Sequence, residues 1–211
     1  MNIETEMETL STLLLRMCDA VIVNINEAID FYLGKGQVES INDDLIDQYE
    51  RMIEEMCLNI LLKERLFARD LKETTGILKL VSDLERIGDH AEDILRFAQK
   101  LVPYKDNKNA EVESLLLFVV DMIKRSIKSY TDKDVDLANE VIADDDYVDA
   151  KYLEIIESLA AKKDGDVHYL QFAIYTTLVV KYLERIADHS VNIAEWVVYI
   201  KSGYYKDKMI M

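Results

Sequence analysis

Leu84-Glu-Arg-Ile-Gly-Asp-His-Ala-Glu-Asp-Ile94 and Leu183-Glu-Arg-Ile-Ala-Asp-His-Ser-Val-Asn-Ile193 are two copies of one motif, 99 residues apart and identical at seven of eleven positions. A weaker echo lies upstream of each: Asp43-Asp-Leu-Ile-Asp47 resembles Asp145-Asp-Tyr-Val-Asp149 at an offset of 102. Two motifs repeating in the same order at nearly the same offset mark a duplicated unit.

At 3.6 residues per turn, the first copy resolves into two faces. Leu80, Leu84, Ile87, Ile94 and Ala98 form an apolar stripe. Glu85, Asp89 and Asp93 climb a separate face as a ladder of acids, about 40° apart. The second copy has Val179, Leu183, Ile186, Ile193 and Val197 on the stripe and Glu184, Asp188 and Asn192 on the ladder. The wheel turns both ladders away from the core of their own bundle, toward its surface or whatever covers it.

Around these motifs the chain reads as six long helices, at about 5–33, 37–66, 70–101, 110–130, 133–162 and 166–202. The stops are Gly34-Lys-Gly36, a capping box opened by Asp70 with Glu73, Pro103 inside Val102–Asn109, Lys162-Lys-Asp-Gly-Asp166, and Gly203. The expected architecture is all-α, two tandem homologous antiparallel three-helix bundles spanning 1–104 and 105–211. One proline and six glycines in 211 residues argue against an all-β chain.

The net charge is −16, with 12 basic and 21 acidic residues through residue 105 and 13 and 20 after it, so no acidic tail carries it. Such a surface disfavours direct nucleic-acid binding and suits cations or a partner with a basic face. The start, Met1-Asn-Ile-Glu-Thr-Glu6, is acidic where a secretory signal is basic. The stretch Val167–Val180 is too short to span a bilayer, which takes about 20 apolar residues. Cys18 and Cys57 lie in apolar helical segments and read as buried, reduced thiols. A cytoplasmic location follows as the expectation.

Like charges at i and i+4 repel, and a hard cation bound by oxygen ligands removes the repulsion. A solvated acidic face is the competing reading, weakened by the duplication. Asp47 and Asp149, on the middle helices, are placed to complete each shell. Gly88 and Ala187 either admit a close helix or ion, or are ordinary packing. Arg86 and Arg185 either pair with the ladders or are solvated. His90 and His189 border the apolar stripes as packing or hydrogen-bonding residues. None of the three histidines has Glu three residues before it, as a di-iron carboxylate bundle requires. No phosphate loop, nucleophile elbow or zincin helix occurs. Trp196, Tyr199, Tyr204 and Tyr205 read as packing, or as a docking surface if exposed.

At Glu85-Arg-Ile-Gly-Asp89 and Glu184-Arg-Ile-Ala-Asp188 the chain resembles the PhoU family of phosphate-transport regulators, and the ending Asn192-Ile-Ala-Glu-Trp-Val-Val-Tyr-Ile-Lys-Ser-Gly203 is similar too. Ala187 departs from the family's usual glycine. The resemblance implies paired three-helix bundles and, in some members, metal clusters on the motif carboxylates. Carried over, the ligands are Glu85, Asp89, Glu184 and Asp188, with Asp93, Asn192, Asp47 and Asp149 in support. The ions implied are divalent or ferric: iron, zinc, manganese or magnesium. Neutral Asn192 makes the second site the weaker.

The resemblance further implies a non-enzymatic negative regulator of phosphate uptake and of the phosphate-starvation response. It would act as an adaptor between the ATPase subunit of an ABC phosphate importer and a two-component sensor histidine kinase, reaching the membrane only through these partners. A homodimer stays open. Two alternatives stand beside it: a metal-dependent carboxylate-bundle enzyme, and a purely structural helical module.

Overall fold

The computed structural model describes residues 3–63, 66–107, 109–162, 166–206 and 208–209. Helices α1 (Ile3–Tyr32), α2 (Asp43–Leu61) and α3 (Ala68–Leu101) form the first bundle. Helices α4 (Ala110–Asp132), α5 (Val135–Ala143), α6 (Asp145–Ala160) and α7 (Val167–Ser202) form the second. The last helices of the two units, α3 and α7, pack along each other and form the main seam between the bundles. A 3-10 turn, Val102–Asn107, carries the chain across at Pro103. The all-α, duplicated architecture is as expected. Among the described residues, no helix is long and apolar enough to cross a membrane.

The fifth helix differs from expectation in being broken. Asp144 closes α5 with helical φ/ψ, its N–H bonding to both Glu140 O and Val141 O, and α6 restarts at Asp145. The acidic run Asp144-Asp-Asp146 explains the site of the break, because carboxylates are stabilised in a first turn, near the positive end of the helix dipole. Helix α2 likewise starts at Asp43, not near 37. The two middle helices thus begin at equivalent aspartates, and α5 stands in the chain between α4 and α6 where the first unit has residues 33–42 between α1 and α2.

Local chemistry sets most of the ends. Asn42 accepts from Leu45 N, Asn109 from Glu111 N, Asp134 from Leu137 N and Asp166 from Tyr169 N, each satisfying an otherwise orphaned amide. Gly203 ends α7 at φ 84°, where a glycine is unstrained. The start of α3 is a correction: Phe67, not Asp70, precedes the helix and supplies no side-chain cap. Asp70 is buried and held by Arg69 instead. Residues 163–165 of the predicted Lys162–Asp166 stop lie outside the described residues.

All ten predicted stripe residues are buried, along with Cys18 and Cys57. Burial pushes both thiols up to about 12, leaving them protonated and unreactive. Trp196 stacks on Tyr205 at 3.9 Å and meets Tyr199 edge-on, so these aromatics pack on one another. The Tyr204 side chain lies outside the described residues. Tyr204–Tyr205 and Lys208–Met209 pair as a short antiparallel ladder after α7.

Candidate functional site

Each middle helix is held at its start by the first helix of its unit. Buried Asn24 on α1 donates to Asn42 O, and Arg125 on α4 pairs with Asp144. These anchors set the N-terminus of α2 beside the α3 ladder and that of α6 beside the α7 ladder. The outcome is two acidic clusters. Asp43, Asp47 and Glu50 face Glu85 and Asp89, while Asp145 and Asp149 face Glu184 and Asp188.

Both clusters are partly sheltered. Glu85 keeps 16% and Glu184 17% of its side-chain exposure, but Asp89 and Asp47 are half-buried while Asp188 and Asp149 are exposed, so α2 covers its ladder more fully than α6 covers its own. Gly88 allows this approach. A Cβ there would stand 2.7 Å from Ile46 Cδ1 and 3.1 Å from Asp43 Oδ1. Burial, reinforced by the neighbouring carboxylates, pushes Glu85 up to about 7 and Asp43 and Asp145 up to about 6. The same causes raise Glu50 and Asp188.

Charge compensation inside the clusters is partial. Arg86 straddles the first ladder, 3.3 Å from Glu85 and 2.8 Å from Asp89. Lys181 holds Glu184 at 2.7 Å in the second, whereas Arg185 is exposed and faces toward His90. Among the described residues no donor group reaches the buried Asp43 Oδ1, and the carboxyl it meets is that of Asp89. As the side chains lie, no three carboxylates, imidazoles or thiols among the described residues are gathered closely enough to hold a metal ion.

Of the eight ligand candidates, Glu85, Asp89 and Asp47 come together in the first cluster, and Glu184, Asp188 and Asp149 in the second. The third rungs do not join them. Asp93 turns to Arg96 and to His90, 3.7 Å from its Nδ1. Asn192 crosses the seam to donate to Asp83 Oδ1 at 3.1 Å. The sequence reading passed over Asp43 and Asp145. Their signal was present, since each stands four residues before the chosen aspartate of its own echo.

The family model described as PhoU domain matches twice, over residues 14–98 and 112–197. The chain belongs to the PhoU family. The two PhoU matches take in both ladders and both middle helices.

Among curated PhoU relatives, the phosphate-specific transport system accessory protein PhoU homolog of Clostridium acetobutylicum is 32% identical, over 97% of this chain and 96% of that protein. The homolog of Pseudomonas aeruginosa is 32% identical over 94% of this chain and 84% of its own. The crystal structure of PhoU from Pseudomonas aeruginosa superposes with a TM-score of 0.86 at 30% identity, covering 96% of this chain and all of that one. The Streptococcus pneumoniae PhoU structure, at 21% identity and a TM-score of 0.81 over 98% of this chain and all of that one, shares the fold.

Proposed function

We propose that this protein is an accessory regulator of phosphate transport that restrains uptake and the starvation response when phosphate is plentiful. The observation that carries the reading is the match to phosphate-specific transport accessory proteins over nearly the whole chain, with the family model fitting both repeats. The adaptor role joins an importer's ATPase subunit to a sensor histidine kinase on the cytoplasmic side of the membrane. It requires docking faces and no bond chemistry. Two similar acidic faces on one pair of bundles suit partners with basic surfaces, steered by a chain of net charge −16.

The clusters also suit a bound cation. Hard ions such as magnesium, manganese or ferric iron favour carboxylate oxygens, and zinc accepts them. Asp43 Oδ1 is a buried oxygen without a donor among the described residues, and the raised Glu85, Asp43 and Asp145 report charge that is not fully compensated. Asp43, Asp47, Glu85 and Asp89 would hold an ion in the first unit, and Asp145, Asp149, Glu184 and Asp188 in the second. Arg86 and Lys181 now stand on those carboxylates, so an ion has to displace them. Such an ion would supply charge neutralisation and a rigid link between middle and third helices.

The deciding experiment measures phosphate uptake at high external phosphate in a strain lacking this chain. Unrestrained uptake, corrected by the parent and not by a Glu85→Ala, Glu184→Ala variant that still folds, supports both the regulatory role and the clusters. Unchanged uptake and starvation signalling after deletion, with paralogues also removed, overturns the role. Metal analysis of protein purified without chelator tests the ion separately.

A further inference from the structure

Arg69, Lys72, Lys133 and Lys201 converge on one recess at the end of the molecule where α3 begins and α4 and α7 finish. Four cations around one hollow is an unexpected grouping in a chain of net charge −16. Glu73 is the one acid in the lining, and Tyr130, Val197 and Ile200 give the recess an apolar floor. The volume is about 280 Å³, near the lower end of small-ligand sites, which begin at about 300 Å³.

Lys133 and Lys201 stand at the negative ends of α4 and α7, but carboxylate partners are few. Arg69 meets Asp70 at 3.3 Å and Lys133 meets Glu73 at 3.4 Å, both long for charge-assisted bonds. Lys72 and Lys201 pair with no acid among the described residues. Four cations lining one recess repel, and an anion there would offset the part that Asp70 and Glu73 leave uncompensated.

Lys133 caps α4 in the left-handed region at φ 54°, a position that favours glycine or asparagine because a side chain is strained there. The neighbouring cap of α7 obeys the rule with Gly203. Lys133 thus lines the recess from a backbone position that costs a side chain some strain, as Lys206 does elsewhere at φ 49°.

We propose that this recess binds a small phosphoryl-bearing anion, the phosphoryl group meeting Lys72, Lys133 and Lys201 and any organic body lying on Tyr130, Val197 and Ile200. Lysine ammoniums serve as point-charge partners for phosphate oxygens, and the floor suits a flat or aliphatic group. The site lies apart from the acidic clusters and is independent of the adaptor reading.

The test is calorimetric titration of the full chain with divalent ions chelated, using inorganic phosphate, adenosine 5′-monophosphate and adenosine as probes. Saturable binding of the two phosphoryl compounds, but not of adenosine, is expected. The Lys72→Ala, Lys201→Ala variant should weaken it by roughly tenfold or more, the loss typical of a charge-assisted contact. Lys133→Gly should weaken binding while its Tm holds or rises, which a merely structural lysine would not do. Equal affinity for free phosphate and the monoester would identify inorganic phosphate as the source; tighter monoester binding would identify an organic phosphate. No saturable binding of either compound, equal binding of adenosine, or affinity untouched by the lysine substitutions overturns the proposal.

Discussion

His189 Nδ1 lies 2.8 Å from Asp83 Oδ1, tying α7 to α3 across the seam between the two bundles. Asn192 Nδ2 donates to the same oxygen at 3.1 Å, so one carboxylate on the first unit gathers two polar groups of the second. Asp83→Ala leaves both without their partner in a half-buried setting. A loss of about 1–3 kcal/mol is expected in urea unfolding. An unchanged midpoint would show that the seam does not depend on this contact.

Further along the same seam, Gly76 faces Ile200. A Cβ at 76 would fall 2.3 Å from Ile200 Cγ1 and 2.6 Å from Cδ1. Alanine gains about 1 kcal/mol of helix propensity, but overpacking costs about 1–3 kcal/mol, and a contact this short puts the cost at the upper end. Gly76→Ala should therefore destabilise. Combined with Ile200→Ala it should show a favourable coupling of about 1 kcal/mol in a double-mutant cycle. Strict additivity would mean that α7 moves aside freely.

The acidic ladder and the apolar stripe of α3 should respond differently to truncation. Ile87 and Ile186 are fully buried, and changing either to alanine should cost about 2–5 kcal/mol. Glu85→Ala with Asp89→Ala removes repelling charges off that stripe, so the helical fold should persist while any divalent-ion binding to the first unit is lost. Circular dichroism melts compared with metal titrations check both halves. Cooperative unfolding of the acidic variant where the parent stays folded would contradict the placement.

Stability should also depend on pH through the clusters. Glu85, Asp43 and Asp145 titrate at about 7, 6 and 6 when folded, against 4.5, 3.8 and 3.8 for the unperturbed groups. The folded state therefore binds protons more tightly than the unfolded one. By linkage these three groups lower stability as pH rises from about 4 to about 7, and the loss is complete above that window. With metal chelated, the melting temperature of the parent should rise on acidification from pH 8 to pH 6, and Glu85→Gln with Asp43→Asn should flatten that slope. A slope unaltered by the double substitution would remove the first cluster as its source.

The duplication, the all-α class and the two faces of α3 and α7 were legible in the sequence because repeated motifs and helical periodicity are local properties, whereas the break between α5 and α6 was not read. Every stripe residue read from it is buried, and six of the eight ligand candidates fall into the two clusters. Helix starts were less legible. Asp70 carried the pattern of a cap, yet Phe67 precedes the helix, because the Asp70 carboxylate is buried and engaged by Arg69.

A helical wheel assigns each side chain a direction about its own axis but does not say which neighbour lies in that direction. Spacing alone determined that Glu85, Asp89 and Asp93 form one ladder, and Glu184, Asp188 and Asn192 its counterpart. Tertiary packing decided the rest. Helix α2 covers the Glu85 and Asp89 rungs and brings Asp43 to them, Arg86 settles onto both, and the third rungs turn to partners along the seam. The physical reason is reach: backbone hydrogen bonding fixes the angle between residues four apart, whereas the carboxylate facing Asp89 and the partner of Asn192 are brought in by packing from 40 or more than 100 residues away.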